Sequence, residues 1–144
     1  MARITVINDY PDFLETMYAI LDGDLGHQVA GFDGDEISLD DIVASEPELL
    51  VIDLRLGRGE AKGWDIVLLC RGDDALREIP MIICSADVMT MRERVDEFAR
   101  MGVYTLEKPF DLDTVTEVVG RALRDGGPRA RSAGETAPPT EDVA

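Results

Sequence analysis

The sequence predicts an α/β fold, a parallel sheet with helices packed on its faces. Short apolar runs alternate with longer segments whose apolar residues recur at helical spacing, the pattern of successive strand–helix units. The central run, Leu49 to Leu54 (LLVIDL), is apolar almost throughout, as a parallel strand covered on both faces has to be. Polar residues follow directly on several of these runs, so the strands share one functional edge.

The elements read in order as follows. Arg3 to Ile7 (RITVI) is the first strand, and Pro11 opens the next helix, where its missing N–H costs nothing. Phe13, Met17, Ile20 and Leu21 give that helix one apolar face. Gly26 to Phe32 is a weaker second strand, and Glu36 to Ser45 a short, acidic helix. After the third strand, Leu49 to Leu54, comes a glycine-rich loop (Gly57, Gly59, Gly63) and a helix beginning near Trp64. Pro80 to Cys84 (PMIIC) is the fourth strand, followed by a helix over Val88 to Arg100 with Met91, Val95 and Phe98 on its apolar side. Val103 to Leu106 is the fifth strand, and Leu112, Val115, Val119, Ala122 and Leu123 form the buried face of the last helix. The folded domain is thus expected over residues 1–124, with five flanking helices. From Asp125 the composition turns to Gly, Pro, Ala and polar residues without apolar period, so residues 125–144 are expected to be a disordered polar tail.

At 144 residues the chain suits one domain. Its 14 basic and 30 acidic residues give a formal charge of −16, which disfavours direct binding to a phosphate backbone. No apolar run approaches membrane-spanning length, and residues 1–20 lack the basic start and apolar middle of a secretory signal. A cytoplasmic protein with no membrane contact is expected. Cys70 and Cys84 sit inside apolar runs (IVLLC and MIIC) and read as buried thiols. His27, the single histidine, has no metal or triad partner nearby and reads as a surface or strand-edge residue.

The chemistry lies at the strand ends. The first strand ends in Asn8 and Asp9, the third in Asp53, the fourth in Ser85, and Lys108 follows the fifth. Taken singly, each has a plainer role: Asp53 as a turn residue, Ser85 as a helix cap, Lys108 as a surface lysine. Together they outline a site for phosphoryl transfer. Asp53 can act as a carboxylate nucleophile. Its charge repels the incoming group, so a hard cation such as Mg²⁺ is required, with Asp9 as a second carboxylate ligand. Lys108 can pair with one phosphoryl oxygen and Ser85 can donate to another.

With VIDL around Asp53, CSA around Ser85 and EKPF around Lys108, the chain resembles the receiver domain of two-component response regulators over roughly residues 2–124. The resemblance implies a flavodoxin-like, doubly wound sheet of five parallel strands in the order 2-1-3-4-5. It implies a cis Lys108–Pro109 bond. It makes Asp53 the phosphoacceptor, with Mg²⁺ held by Asp9, Asp53 and the main-chain carbonyl of Arg55, and by Asn8 through a water. Ser85 and Lys108 become the phosphoryl-binding pair, and Arg55 and Asp87 flank access to the phosphoryl group. The implied phosphoryl donor is a histidine kinase or a phosphotransfer protein. The implied output is a downstream protein that docks on the fourth helix, fifth strand and fifth helix.

Three departures stand out. Asn8 replaces an acidic residue usual in the family, the loop after Asp53 is longer, and GVYTLEK is one residue short. The usual aromatic switch position therefore falls on Thr105, with Tyr104 one place earlier. Asn8 keeps a second reading in play, a pseudo-receiver that binds a partner without phosphorylation. A hydrolase with an aspartate nucleophile would want a second Asp where Arg55 stands, and a nucleotide site would want glycines where NDYPDF follows the first strand.

Overall fold

In the computed structural model, which describes residues 1–34, 37–54 and 62–128, five strands form one parallel sheet. They are β1 (Arg3–Ile7), β2 (Gln28–Phe32), β3 (Leu49–Asp53), β4 (Met81–Ser85) and β5 (Val103–Glu107), in the order β2-β1-β3-β4-β5. This is the flavodoxin-like, doubly wound order that the sequence implies. Every residue of β3 and of β4 is buried, because both strands have neighbours on two sides and helices on two faces. Ile7 pairs with Ile52 and Asp53 with Cys84, so the residues that follow these strands emerge at one edge.

Alternation along the strands sorts the core into two layers. Ile7, Leu50, Ile52, Met81 and Ile83 face one side with Trp64, Val67, Met91 and Phe98. Ile4, Val6, Leu49, Val51, Ile82 and Cys84 face the other with Met17, Leu21, Val115, Val119 and Ala122. Full burial of one such aliphatic side chain contributes about 1.5–3 kcal/mol, so these two layers dominate the fold's stability.

Helix α1 (Pro11–Met17) carries its proline in the first turn, as expected, and runs on into a π-helical segment, Tyr18–Asp24. The widened turn keeps Met17 and Leu21 fully buried. Helix α2 (Leu39–Ala44) begins later than its acidic run suggests, because Ser38 and Asp41 form a capping box that fixes its start. Helix α3 is Lys62–Arg71, close to the expected start.

The segment expected as one helix over Val88 to Arg100 is two, α4 (Val88–Glu93) and α5 (Val95–Arg100). Arg94 lies outside the helical region (φ −107°, ψ 13°), and its guanidinium stands 5.4 Å from the centroid of the Trp64 ring. The break buries Met91 and Phe98 and turns Val95 outward, 53% exposed, away from the apolar side where the periodicity puts it. The last helix, α6 (Leu112–Asp125), is capped by Asp111, which accepts from the Thr114 N–H.

The chain stays packed beyond α6. Tyr104 Oη donates to the Gly126 carbonyl at 3.0 Å, and Gly127 is buried. A Cβ at Gly127 would lie 2.0 Å from the Glu78 carbonyl oxygen, so only glycine fits this approach. Packing therefore extends past the expected boundary at residue 124, through Pro128. Residues 129–144 lie outside the described residues. Cys70 and Cys84 are buried free thiols, and among the described residues no helix is long and apolar enough to cross a membrane.

Candidate functional site

The site is built from the ends of β1, β3, β4 and β5. Asp53, the last residue of β3, is only 4% exposed. Its Oδ2 accepts two hydrogen bonds, from Lys108 Nζ at 2.5 Å and from Asn8 Nδ2 at 2.7 Å. The Lys108–Pro109 bond is cis, and the Lys108 N–H donates to the Ser85 carbonyl at 2.9 Å. The ammonium also sits 4.7 Å from the Phe13 ring centroid, and Phe13 packs edge-on against Phe110 at 6.1 Å. Lys108 is thereby held between an aromatic wall and the carboxylate it neutralises.

Asn8 is fully buried at the end of β1. Its Oδ1 accepts the Tyr10 N–H at 2.7 Å, which leaves the amide nitrogen to face Asp53. Both partners are unambiguous, a backbone donor and a carboxylate acceptor, so the amide has a single consistent orientation. Asp9 is half-buried beside it, with its Oδ1 beneath the surface.

Ser85 ends β4 and is buried. Its Oγ accepts the Asp87 N–H at 2.9 Å, so the hydroxyl hydrogen can be aimed at a phosphoryl oxygen. Asp87 caps α4: one carboxylate oxygen accepts the Thr90 N–H at 3.2 Å and the other accepts the Thr90 hydroxyl at 2.8 Å. A cavity of about 410 Å³ opens over the site, lined by Tyr10, Asp53, Ser85, Ala86, Asp87 and Lys108. Of the residues singled out in the sequence, the structure brings Asn8, Asp53, Ser85, Asp87 and Lys108 together. Arg55, with its carbonyl, lies outside the described residues.

Tyr104 and Thr105 go to opposite faces of β5. Tyr104 is buried among Met17, Val115 and Ala122, while Thr105 pairs with Ile83. Sequence reasoning missed Tyr10, Phe13, Thr90 and Gly63. Tyr10 and Phe13 follow the strand-end pair Asn8-Asp9, a place from which side chains can turn back over the sheet edge. Gly63 had no readable signal beyond its glycine-rich surroundings. A Cβ there would lie 1.9 Å from the Asp53 carbonyl oxygen, so the chain returning from the loop presses directly on the Asp53 backbone.

The donor set fits Mg²⁺. That ion keeps several waters and is commonly bound through one or two carboxylates together with substrate phosphates. Asp9 and Asp53 supply two carboxylates. Among the described residues no group of three or more His, Cys, Asp or Glu side chains is placed to hold a metal. Cys84, beside Asp53 in the ladder, is no rival nucleophile. Burial pushes its thiol up to about 12, with smaller opposed effects from Lys108 and Asp53, so it stays protonated at neutral pH.

Solved structures share this architecture. The chemotaxis response regulator CheY4 of Vibrio cholerae superposes with a TM-score of 0.71 at 16% identity, over 84% of this chain and 98% of that one. The receiver domain of a sensor histidine kinase from Pseudomonas aeruginosa, with magnesium in its active-site cleft, gives 0.67 at 22% identity over 85% and 98%. Response regulator TrrA from Thermotoga maritima, in complex with Mg²⁺ and BeF, gives 0.69 at 20% identity over 84% and 98%. The fold is therefore that of response-regulator receiver domains. No protein-family model matches the chain, and no curated protein sequence matches it.

Proposed function

We propose that this chain is a phosphorylation-dependent signalling switch that accepts a phosphoryl group on Asp53. The observation that carries the reading is the Lys108 ammonium 2.5 Å from the buried Asp53 carboxylate, at the strand edge where ligands bind in this fold. In the transfer, a carboxylate oxygen of Asp53 forms a bond to phosphorus as the donor's phosphorus–nitrogen bond breaks. Lys108 moves its charge from Asp53 Oδ2 to a phosphoryl oxygen, and Ser85 donates to another. Asp9, Asp53 and the main-chain carbonyl of Arg55 would hold Mg²⁺, which would neutralise charge on the transferring group.

The donor is a histidine kinase or phosphotransfer protein, and the output is a protein partner. The candidate docking face comprises α4, α5, β5 and α6, where Val95 is exposed and Arg92 pairs with Glu107. Mass spectrometry after incubation with acetyl phosphate and Mg²⁺ tests the reading. One phosphoryl adduct is expected on the wild type and none on Asp53→Ala; equal labelling of Asp53→Ala overturns the assignment. A phosphorylation-independent binding module is the second reading, favoured by the amide at position 8. A wild type that takes no phosphoryl group from acetyl phosphate or from any cognate kinase, yet binds its partner, would select it.

A further inference from the structure

The amide of Asn8 stands beside the acceptor, and its geometry says what an amide does there that a carboxylate cannot. The Tyr10 N–H occupies Oδ1, and Nδ2 points at Asp53 Oδ2 from 2.7 Å. Asn8 has no exposed surface and Asp53 has little, so this contact is made out of water, where a hydrogen bond to a charged acceptor is strong. Lys108 bonds to the same oxygen. One carboxylate oxygen is thus gripped by a cation from β5 and by an amide from β1. The amide in turn is anchored to the backbone at the start of α1.

We propose that Asn8 is a positioning residue that holds the Asp53 carboxylate in its acceptor geometry without a divalent cation. This rests on Asp53 being the phosphoacceptor. A carboxylate at position 8 would bring a second negative oxygen to within hydrogen-bonding distance of Asp53, and the single Lys108 ammonium would then face two carboxylates, leaving repulsion for a bound cation or a proton to relieve. With the amide, Asp53 Oδ2 already has two donors in the metal-free site, and Mg²⁺ is left with one charged ligand fewer. The acceptor is ordered before any metal arrives, and the metal adds little to the stability of the fold.

Thermal unfolding of the full chain with and without Mg²⁺, together with calorimetric titration of Mg²⁺, tests this. The wild type is expected to melt at nearly the same temperature with and without 10 mM Mg²⁺, a shift of under about 2 °C. Asn8→Asp should melt about 5 °C or more below the wild type without metal and regain most of the loss with it. It should also bind Mg²⁺ about tenfold more tightly. Asn8→Ala, which loses the amide without adding charge, should melt below the wild type and remain insensitive to Mg²⁺, so a fold that cannot tolerate Asn8→Asp still yields a result. The proposal is overturned if Mg²⁺ raises the wild-type melting temperature as much as that of Asn8→Asp, or if Asn8→Ala melts with the wild type. Labelling of Asp53 by acetyl phosphate is scored separately on the wild type. Its absence would remove the phosphoacceptor reading and leave the melting comparison standing.

Discussion

Two residues far from conspicuous in the sequence control how the site and the fold respond to change. Gly63 presses its Cα on the backbone of Asp53, and a Cβ would sit 1.9 Å from that carbonyl oxygen. Backbone cannot give way as a flexible side chain does, so Gly63→Ala must displace either α3 or Asp53. A loss of about 2 kcal/mol or more is expected in urea unfolding, together with slower phosphorylation of Asp53. His27 acts at the other end of the sheet, where its Nδ1 accepts the Ala2 N–H at 3.0 Å and must be unprotonated to do so. Partial burial and the nearby N-terminal charge lower its pKa below 6.5, against a smaller opposing pull from Glu48. The folded state therefore binds this proton less readily than the unfolded chain. The contribution is fully present above pH 6.5 and is lost as pH falls through the lowered folded value. Melting temperatures between pH 7.5 and 5.5 should decline in the wild type and decline less in His27→Gln, whose amide oxygen can still accept the Ala2 N–H.

Elements were legible to the degree that their determinants are local. All five strands could be read from apolar runs, and the strand-end set Asn8, Asp53, Ser85 and Lys108 followed from where those runs stop. The break between α4 and α5 could not; Arg94, the residue at the break, stands over the ring of Trp64 on α3, thirty positions earlier, a contact that no local pattern registers. The start of α2 depended on the pairing of Ser38 with Asp41, which the acidic run concealed. The faces that Tyr104 and Thr105 take depend on the pleat of β5, which the shortened segment before Lys108 left open. Tyr104 packs toward α6 with its hydroxyl on the Gly126 carbonyl, and the Arg121 guanidinium lies 5.6 Å from its ring centroid. A tyrosine so placed anchors the end of α6, and alternation bars it from the opposite face of the strand. Tyr104→Phe should therefore cost about 1 kcal/mol in denaturant unfolding while leaving acetyl-phosphate labelling of Asp53 unchanged. A changed labelling rate with unchanged stability would make Tyr104 part of the switch.

The molecule as a whole is divided between two edges of one sheet, with the candidate site at the carboxyl ends of the strands and fastening at the amino ends. Arg71, at the end of α3, donates from Nε to the Met101 carbonyl at 2.8 Å and from Nη1 to the Ile79 carbonyl at 2.7 Å. It thereby ties the connections that lead into β4 and β5. Burial lowers its pKa to about 10, so it remains charged at neutral pH and its carbonyl partners stay engaged. The chain beyond α6 enters the same region. Gly127 lies against the Glu78 carbonyl, and Pro128 against Gly102, whose φ of 68° favours glycine. The composition of residues 125–144 suggested a tail without any folded role, because neither Gly127 nor Pro128 contributes an apolar side chain of helical or strand period. What holds them is close backbone approach, which composition does not register. Two truncations separate the cases. Ending the chain after Pro128 should leave the melting temperature within about 2 °C of the full chain, since the contacts of Gly126, Gly127 and Pro128 are retained. Ending it after Arg124 removes the Gly126 carbonyl from Tyr104 and uncovers the backbone around Glu78 and Gly102. That should lower stability by about 1–3 kcal/mol, read as a shift in the urea midpoint at constant slope. Equal stability of the two truncated forms would mean that the segment after α6 rests on the domain without holding it.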